Sequence, residues 1–235
     1  MSNAGILVHA RHLQTIGWDD LMWGRPNQGE RGCLPMVTDI ILQEPKDEPF
    51  SCIVIGCGPS ARNGMSESEF IKDYFLKRLP ELKTAPMFAK RLEGGVYDAL
   101  VARISDVVVT DYSRDTNGEI AEAARIFSEH NVTKVVQVAS INHAPRCIRS
   151  QSEARASGSI PPEQLWSAIA DDMPFAGETP GSTTIFEPPH RGDDPLLGFE
   201  PKMTEVFKSY QYNLAPEHKK ELIRRIDDYM RKHST

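Results

Sequence analysis

Two short apolar runs, Val107-Val108-Val109 and Val135-Val136-Gln137-Val138-Ala139, each break into a polar cluster, and this constrains the chain more than any other feature. The first leads into Thr110-Asp111-Tyr112-Ser113-Arg114-Asp115-Thr116-Asn117-Gly118-Glu119, the second into Ser140-Ile141-Asn142-His143-Ala144-Pro145-Arg146. Apolar β-branched runs of this kind suit strands buried on both faces of a parallel sheet, and such sheets bind ligands outside the carboxyl ends of their strands. Small-molecule chemistry is therefore expected where these two runs end.

The rest of the patterning agrees with a parallel sheet. Gly5 to Ala10 reads as a first strand, followed by a long polar segment containing Trp18, Trp23, Gly24, Arg25 and Pro26; a loop of that length is uncommon unless functional. Cys33 to Leu42 carries a helical apolar pattern with Pro35 in its first turn. Ser51 to Gly58 is an apolar run ending in glycines, and Ser66 to Leu76 follows as an amphipathic helix that Pro80 stops. The next strand is expected over Ser105 to Thr110, a helix over Glu119 to His130, and a strand over Lys134 to Ala139. Alternating strands and helices give an α/β fold with a mainly parallel sheet and right-handed crossovers. Beyond Arg146 the pattern suggests a helix over Pro161 to Ala170, a short strand over Thr183 to Phe186, a turn-rich loop over Pro188 to Pro195 and a closing amphipathic helix over Pro216 to His233. With 235 residues, 40% of them hydrophobic, and no long linker, one domain over 1–235 with a C-terminal helical appendage is expected.

Composition removes several classes of function. A net charge of −6 without a basic stripe argues against nucleic acid as a partner. No run approaches the roughly 20 apolar residues that span a bilayer, and the N-terminus lacks the basic and apolar regions of a signal peptide. Cys33, Cys52, Cys57 and Cys147 show no CxxC spacing, so reduced thiols in a soluble cytoplasmic protein are the simplest expectation.

Each candidate for chemistry has a purely structural alternative. Gly56-Cys57-Gly58-Pro59-Ser60 either presents backbone N–H groups to an anion or is a tight turn that requires glycine; it is neither a Walker A loop nor a full GxGxxG. Ser66-x-x-Glu69 and Thr116-x-x-Glu119 both fit capping boxes, in the second of which Thr116 would cap the helix and Glu119 would return to the backbone. Position favours a further role for the second group, because Asp111, Ser113, Asp115, Thr116 and Glu119 gather at a strand's carboxyl end. His143 suits general acid–base work and Arg146 suits clamping of phosphate or carboxylate; the alternative is a loop histidine on backbone and a solvated arginine. His9, Arg11, His12, His190 and Arg191 are secondary candidates. No HExxH or comparable spacing points to a metal, and Gly-x-Ser-x-Gly is absent. Trp18, Trp23 and Tyr112 can stack on a base or sugar, though core packing is the commoner use of such rings.

Taken together, these motifs resemble the YdcF-like domain family, which includes the SanA and ElyC envelope proteins. The counterparts are Arg31 before the first helix, Gly56 and Gly58, Ser66-Glu67, Ser113-x-Asp115-Thr116-x-x-Glu119 and Ser140-x-x-His143-x-x-Arg146, within roughly 5–150. Two positions depart from the family pattern: the loop after the first strand reads Ala10-Arg11-His12-Leu13-Gln14-Thr15 rather than glycine-rich, and Ile120 replaces the usual Asn. The resemblance implies a three-layer Rossmann-like domain whose motif residues line one crevice. It implies S-adenosylmethionine as a candidate cofactor, and the soluble branch of the family.

The expected activity is that of a transferase or hydrolase acting on a nucleotide-like or phosphorylated small molecule. The candidate catalytic residues are His143, Glu119 and Asp115; the candidate binding residues are Gly56, Gly58, Ser60, Glu67, Ser113, Thr116, Ser140 and Arg146, with no metal. The alternative is a non-catalytic sensor of S-adenosylmethionine or a nucleotide.

Overall fold

The computed structural model describes residues 3–15, 17–44, 50–111, 113 and 115–174. Five strands, β1 (Asn3–Val8), β2 (Phe50–Ile55), β3 (Val108–Val109), β4 (Val132–Ala139) and β5 (Leu165–Ala170), form the central sheet in the order β3-β2-β1-β4-β5. Every neighbouring pair is parallel. The chain builds outward from β1 to one edge, then crosses to build toward the other, so the strand order reverses between β1 and β4. In open α/β sheets that reversal opens a crevice at the carboxyl ends of the strands.

Helices cover both faces, giving the three-layer α/β, Rossmann-like architecture expected from the alternating pattern. The helices are α1 (Trp18–Met22), α2 (Cys33–Leu42), α3 (Glu67–Arg78), α4 (Val96–Ser105), α5 (Thr116–Glu129) and α6 (Ala144–Ala156). α2 packs on β1 and β4, and α3 on β2 and β3; α5 and α6 pack on each other and on β4. Ile120, Ala123, Ala124 and Phe127 of α5 meet Leu7, Val54 and Val135 of the sheet in one buried cluster. Truncating a side chain such as Phe127, which is fully buried, typically costs about 3–5 kcal/mol, so this interface fixes where the first turn of α5 stands.

The chain divides into two compact units. One, Met1–Leu13 with Asp19–Met173, holds the whole sheet; the other, Gln14–Trp18 with Pro174–Thr235, falls mostly outside the described residues. The strand expected over Thr183 to Phe186, the loop over Pro188 to Pro195, the helix over Pro216 to His233, and Tyr112, Arg114, His190 and Arg191 also lie outside them.

Several local expectations are met. α2 spans Cys33–Leu42 as its periodicity indicates. Ser66 caps α3 in a reciprocal box, its side chain accepting from Glu69 N while Ser66 N donates to Glu69 Oε2 at 2.8 Å. Trp23 is a core residue, packed edge-to-face on Tyr74 and Phe75 with centroids at 6.2 and 6.5 Å.

Other expectations are corrected. The helix expected over Pro161 to Ala170 is instead the strand β5 over Leu165–Ala170. This uncharged segment pairs with the outer edge of β4, and Trp166 meets Phe127 at 6.0 Å, a contact that the local sequence does not encode. The strand expected over Ser105 to Thr110 shrinks to Val108–Val109, because α4 continues through Ser105 and Asp106 closes it. α5 starts earlier than Glu119, and the capping box expected of Thr116 and Glu119 does not form. Asp115 is the cap, accepting from Gly118 N at 2.9 Å, and Glu119 turns inward.

Among the described residues no helix is long and apolar enough to cross a membrane.

Candidate functional site

The carboxyl ends of all five strands carry buried polar side chains: His9 and Arg11 after β1, Ser60 after β2, Thr110 and Ser113 after β3, Ser140 and His143 after β4, and Asp171 after β5. Polar groups withdrawn from water need partners or a function. Two of them, His9 and Ser60, find their partners in two buried carboxylates, Glu119 and Glu67.

Glu67 occupies the glycine turn after β2. Gly58 N donates to its Oε2 at 2.8 Å, Ser60 N donates to its Oε1 at 2.9 Å, and the Ser60 hydroxyl donates to Oε1 as well. The hydroxyl in turn accepts Leu13 N at 2.9 Å, which ties the loop after β1 to the turn after β2. The turn is thus an anion cradle whose anion is the protein's own carboxylate. Glycine is required at position 58 because a Cβ there would collide with that carboxylate. Burial pushes the Glu67 carboxyl above its ordinary range, against the pull of the Ser60 and Gly58 donors, and the charge of Glu119 adds to the rise.

Glu119 performs the corresponding task at the reversal of strand order. Its Oε2 meets His9 Nδ1 at 2.6 Å and its Oε1 accepts Ala10 N at 2.9 Å. A Cβ at position 56 would clash with this carboxylate, so Gly56 admits Glu119 to the strand end. On the far side of the imidazole, Gln137 Oε1 lies 2.9 Å from His9 Nε2. Gln137 Nε2 donates to Gln151 Oε1 at 2.6 Å, which turns the amide oxygen toward His9. Both ring nitrogens therefore face acceptors, the setting of an imidazolium. Burial disfavours that charge, yet Glu119 and Cys147 outweigh it and hold the His9 pKa well above its ordinary value.

His143 stands beside this charged pair. Its ring meets the His9 ring edge-to-face, with centroids 5.7 Å apart, and its Nε2 lies 3.5 Å from Thr116 Oγ1 at the start of α5. The turn that carries it is tight: Ser140 O accepts His143 N at 2.7 Å and Ala144 N at 2.8 Å, and Ser140 Oγ donates to Asn142 Oδ1 at 2.7 Å. His143 is 4% exposed and ends the turn where α6 begins. Arg146 lies three residues further on α6, half-buried, a spacing that returns it toward the same helix face.

The structure brings together His143, Thr116, Glu119, Gly56, and Glu67 with Gly58 and Ser60. Ser113 lies alongside: its N–H donates to Cys57 O at 3.2 Å, and its hydroxyl donates to Asp115 O at 2.6 Å. Asp115 is exposed, its carboxylate capping α5, and is not part of the buried network. Arg31 joins a separate ion network with Asp39 and Asp172, whose Oδ2 it meets at 2.7 Å.

Three residues gain an importance that the sequence did not assign. His9, a secondary candidate, is the centre of the network. Gln137 was signalled only by being polar within an apolar run. Asp171 follows directly on a segment read as a helix, Pro161 to Ala170, and carried no signal of its own; its Oδ1 accepts Ile141 N at 2.9 Å, and burial pushes its carboxyl up to about 7.

Among the described residues no group of three or more His, Cys, Asp or Glu is arranged to hold a metal ion. Comparison with protein-family models, with curated proteins and with solved structures gives no match for this chain.

Proposed function

We propose that the crevice at the reversal of strand order binds an anionic small molecule, nucleotide-like or phosphorylated, and that His143 exchanges a proton with it while Arg146 clamps its anion. The observation carrying this reading is the place of His143. It sits at the carboxyl end of β4, against the charged His9–Glu119 pair and beside Thr116, where α5 and α6 both begin. Two helix N-termini and a buried imidazolium favour negative charge there. Glu119 acts through His9 as a positioning residue, and Glu67 shapes the turn on the neighbouring strand. Group transfer and hydrolysis are reaction classes that a single histidine acid–base can serve.

A second reading, a sensor that binds S-adenosylmethionine or a nucleotide without turning it over, is favoured by a specific observation. The carboxylates of Glu67 and Glu119 are already engaged by the protein's own donors. The YdcF-like motif pattern makes S-adenosylmethionine the first ligand to try.

Mass spectrometry of small molecules released from purified protein, run beside the Arg146→Ala variant, tests the site. A nucleotide, sugar phosphate or S-adenosyl compound is expected from the unmutated chain and absent from the variant; retention by the variant removes Arg146 as the clamp. With that compound in hand, His143→Ala is expected to abolish turnover and leave the fold intact. Undiminished turnover removes His143 from the mechanism, and a ligand that binds without product establishes the sensor.

A further inference from the structure

Asp171 is the first residue after β5 and belongs to no element already assigned a role. It is 4% exposed. Its backbone N–H donates to Ala139 O at 3.1 Å, continuing the β4–β5 ladder by one step, and its Oδ1 accepts Ile141 N at 2.9 Å. These two bonds clamp the segment leaving β4 on both sides of Ser140, whose carbonyl closes the turn onto His143. Its other oxygen, Oδ2, is buried and has no hydrogen-bond partner among the described residues. Leaving a carboxylate oxygen orphaned in this way is costly, and proton uptake on that oxygen relieves the cost.

We propose that Asp171 is the positioning residue of the His143 turn, and that a proton added to or removed from its Oδ2 changes how firmly the turn is held. The inference rests on reading His143 as the working group of the crevice. In the ionised form, Ile141 N–H donates to a carboxylate; in the protonated form it donates to a neutral carbonyl oxygen. Charge-assisted bonds are roughly twice as strong as neutral ones, so ionisation tightens the turn. The charged and titratable groups around Asp171 are Arg11 in the loop after β1, which favours ionisation, Asp172 beside it, which opposes it, and Cys33 at the start of α2, itself coupled to Cys147 of α6. Their balance with burial puts the titration at about 7, so the turn responds near neutral pH. The proton comes from and returns to solvent, and no other group changes its bonding.

The test is a pH titration of the full chain followed by the Ile141 amide and the Asp171 carboxyl carbon in nuclear magnetic resonance spectra. Both signals are expected to move with one shared inflection near 7, and in Asp171→Asn, which keeps the Oδ1 acceptor, the Ile141 amide is expected to stay fixed. In Asp171→Ala the Ile141 amide should exchange with deuterium at least about tenfold faster, while Asp171→Asn restores slow exchange. An Ile141 amide that does not titrate in the unmutated chain, or that titrates unchanged in Asp171→Asn, overturns the proposal. The unmutated chain alone supplies the first of these outcomes if a variant does not fold. None of these signals requires a ligand, so failure of the proposed chemistry at His143 and failure of the Asp171 assignment are read separately.

Discussion

Glu67 and Glu119 do the same physical work across very different distances in the sequence. Each is a buried carboxylate that fills a space left by a glycine at a strand end, Gly58 for Glu67 and Gly56 for Glu119. Glu67 takes its partners from residues seven to nine positions away, whereas Glu119 reaches residues 109 and 110 positions away. The local clasp shapes one loop. The long-range clasp joins the start of α5 to the end of β1 and, through His9, to Gln137 on β4. The first can form as soon as its own turn and helix form, while the second exists only when the sheet is complete. The network around His143 therefore depends on global folding in a way that the Glu67 turn does not.

The widest separation between the two should come from deleting the carboxylates. Glu119→Ala leaves the His9 imidazolium buried beside neutral groups, and breaking one side of such a pair typically costs about 3–5 kcal/mol. Chemical denaturation should register that loss; a cost below about 1 kcal/mol would mean that the His9–Glu119 pair is not the keystone of the strand ends. Gly56→Ala should fall in the same range, since its Cβ must displace the same carboxylate. Glu67→Gln is expected to cost less, about 1–3 kcal/mol, because its amide keeps one acceptor oxygen and misdirects only one end toward the Gly58 or Ser60 donors.

The pH dependence of stability sharpens the same contrast. The folded-state pKa of His9 is raised, so its contribution is fully present below the unfolded value of 6.5 and is lost as pH rises through the higher folded value. The raised carboxyl of Glu67 has the same sign in a lower window, with its contribution complete below 4.5 and lost above. The unfolding free energy should therefore decline on the alkaline side of about 6.5 in the unmutated chain. In Glu119→Gln that decline should shrink to the part that the raised Asp171 carboxyl contributes up to about 7, while in Glu67→Gln it should persist in full. A decline that continues undiminished above about 7 in Glu119→Gln would place the titrating group elsewhere than His9.

These differences also account for what the sequence disclosed. The parallel α/β sheet was legible because buried strands require continuous apolar runs, and α2 and the Ser66 cap were legible because helix patterning and capping are encoded within a few residues. The end of the chain's sheet was not. Leu165–Ala170 becomes a strand because β4 presents an unfilled edge and Phe127 offers a seat to Trp166, both made by residues far away in sequence. The candidate site divides along the same line. The glycine turn, the Ser113 to Glu119 cluster and the Ser140 to Arg146 turn were visible as strand-end polar groups. The centrality of His9 was not, since it depends on Glu119 and Gln137 arriving from 110 and 128 residues away. The sequence pattern at Thr116 and Glu119 even pointed to a local capping box, and tertiary structure overrode it by drawing Glu119 toward His9.

The smallest expected effect tests that override directly. If Asp115 alone caps α5, Asp115→Ala removes one acceptor at the helix start and should cost about 1 kcal/mol, while Thr116→Ala should cost less. Had Thr116 been the cap, the order would be reversed. The same pair of variants separates structure from chemistry. Asp115 is exposed and engaged with Gly118 N, so its loss should lower stability with little change in ligand affinity. Thr116 lies 3.5 Å from His143 Nε2, so its loss should leave stability nearly intact and change whatever His143 does. Affinity measured for the released compound, set beside the two unfolding curves, decides between them. A large affinity loss in Asp115→Ala with unchanged stability would return Asp115 to the ligand-facing set and move the boundary of the site outward along the first turn of α5.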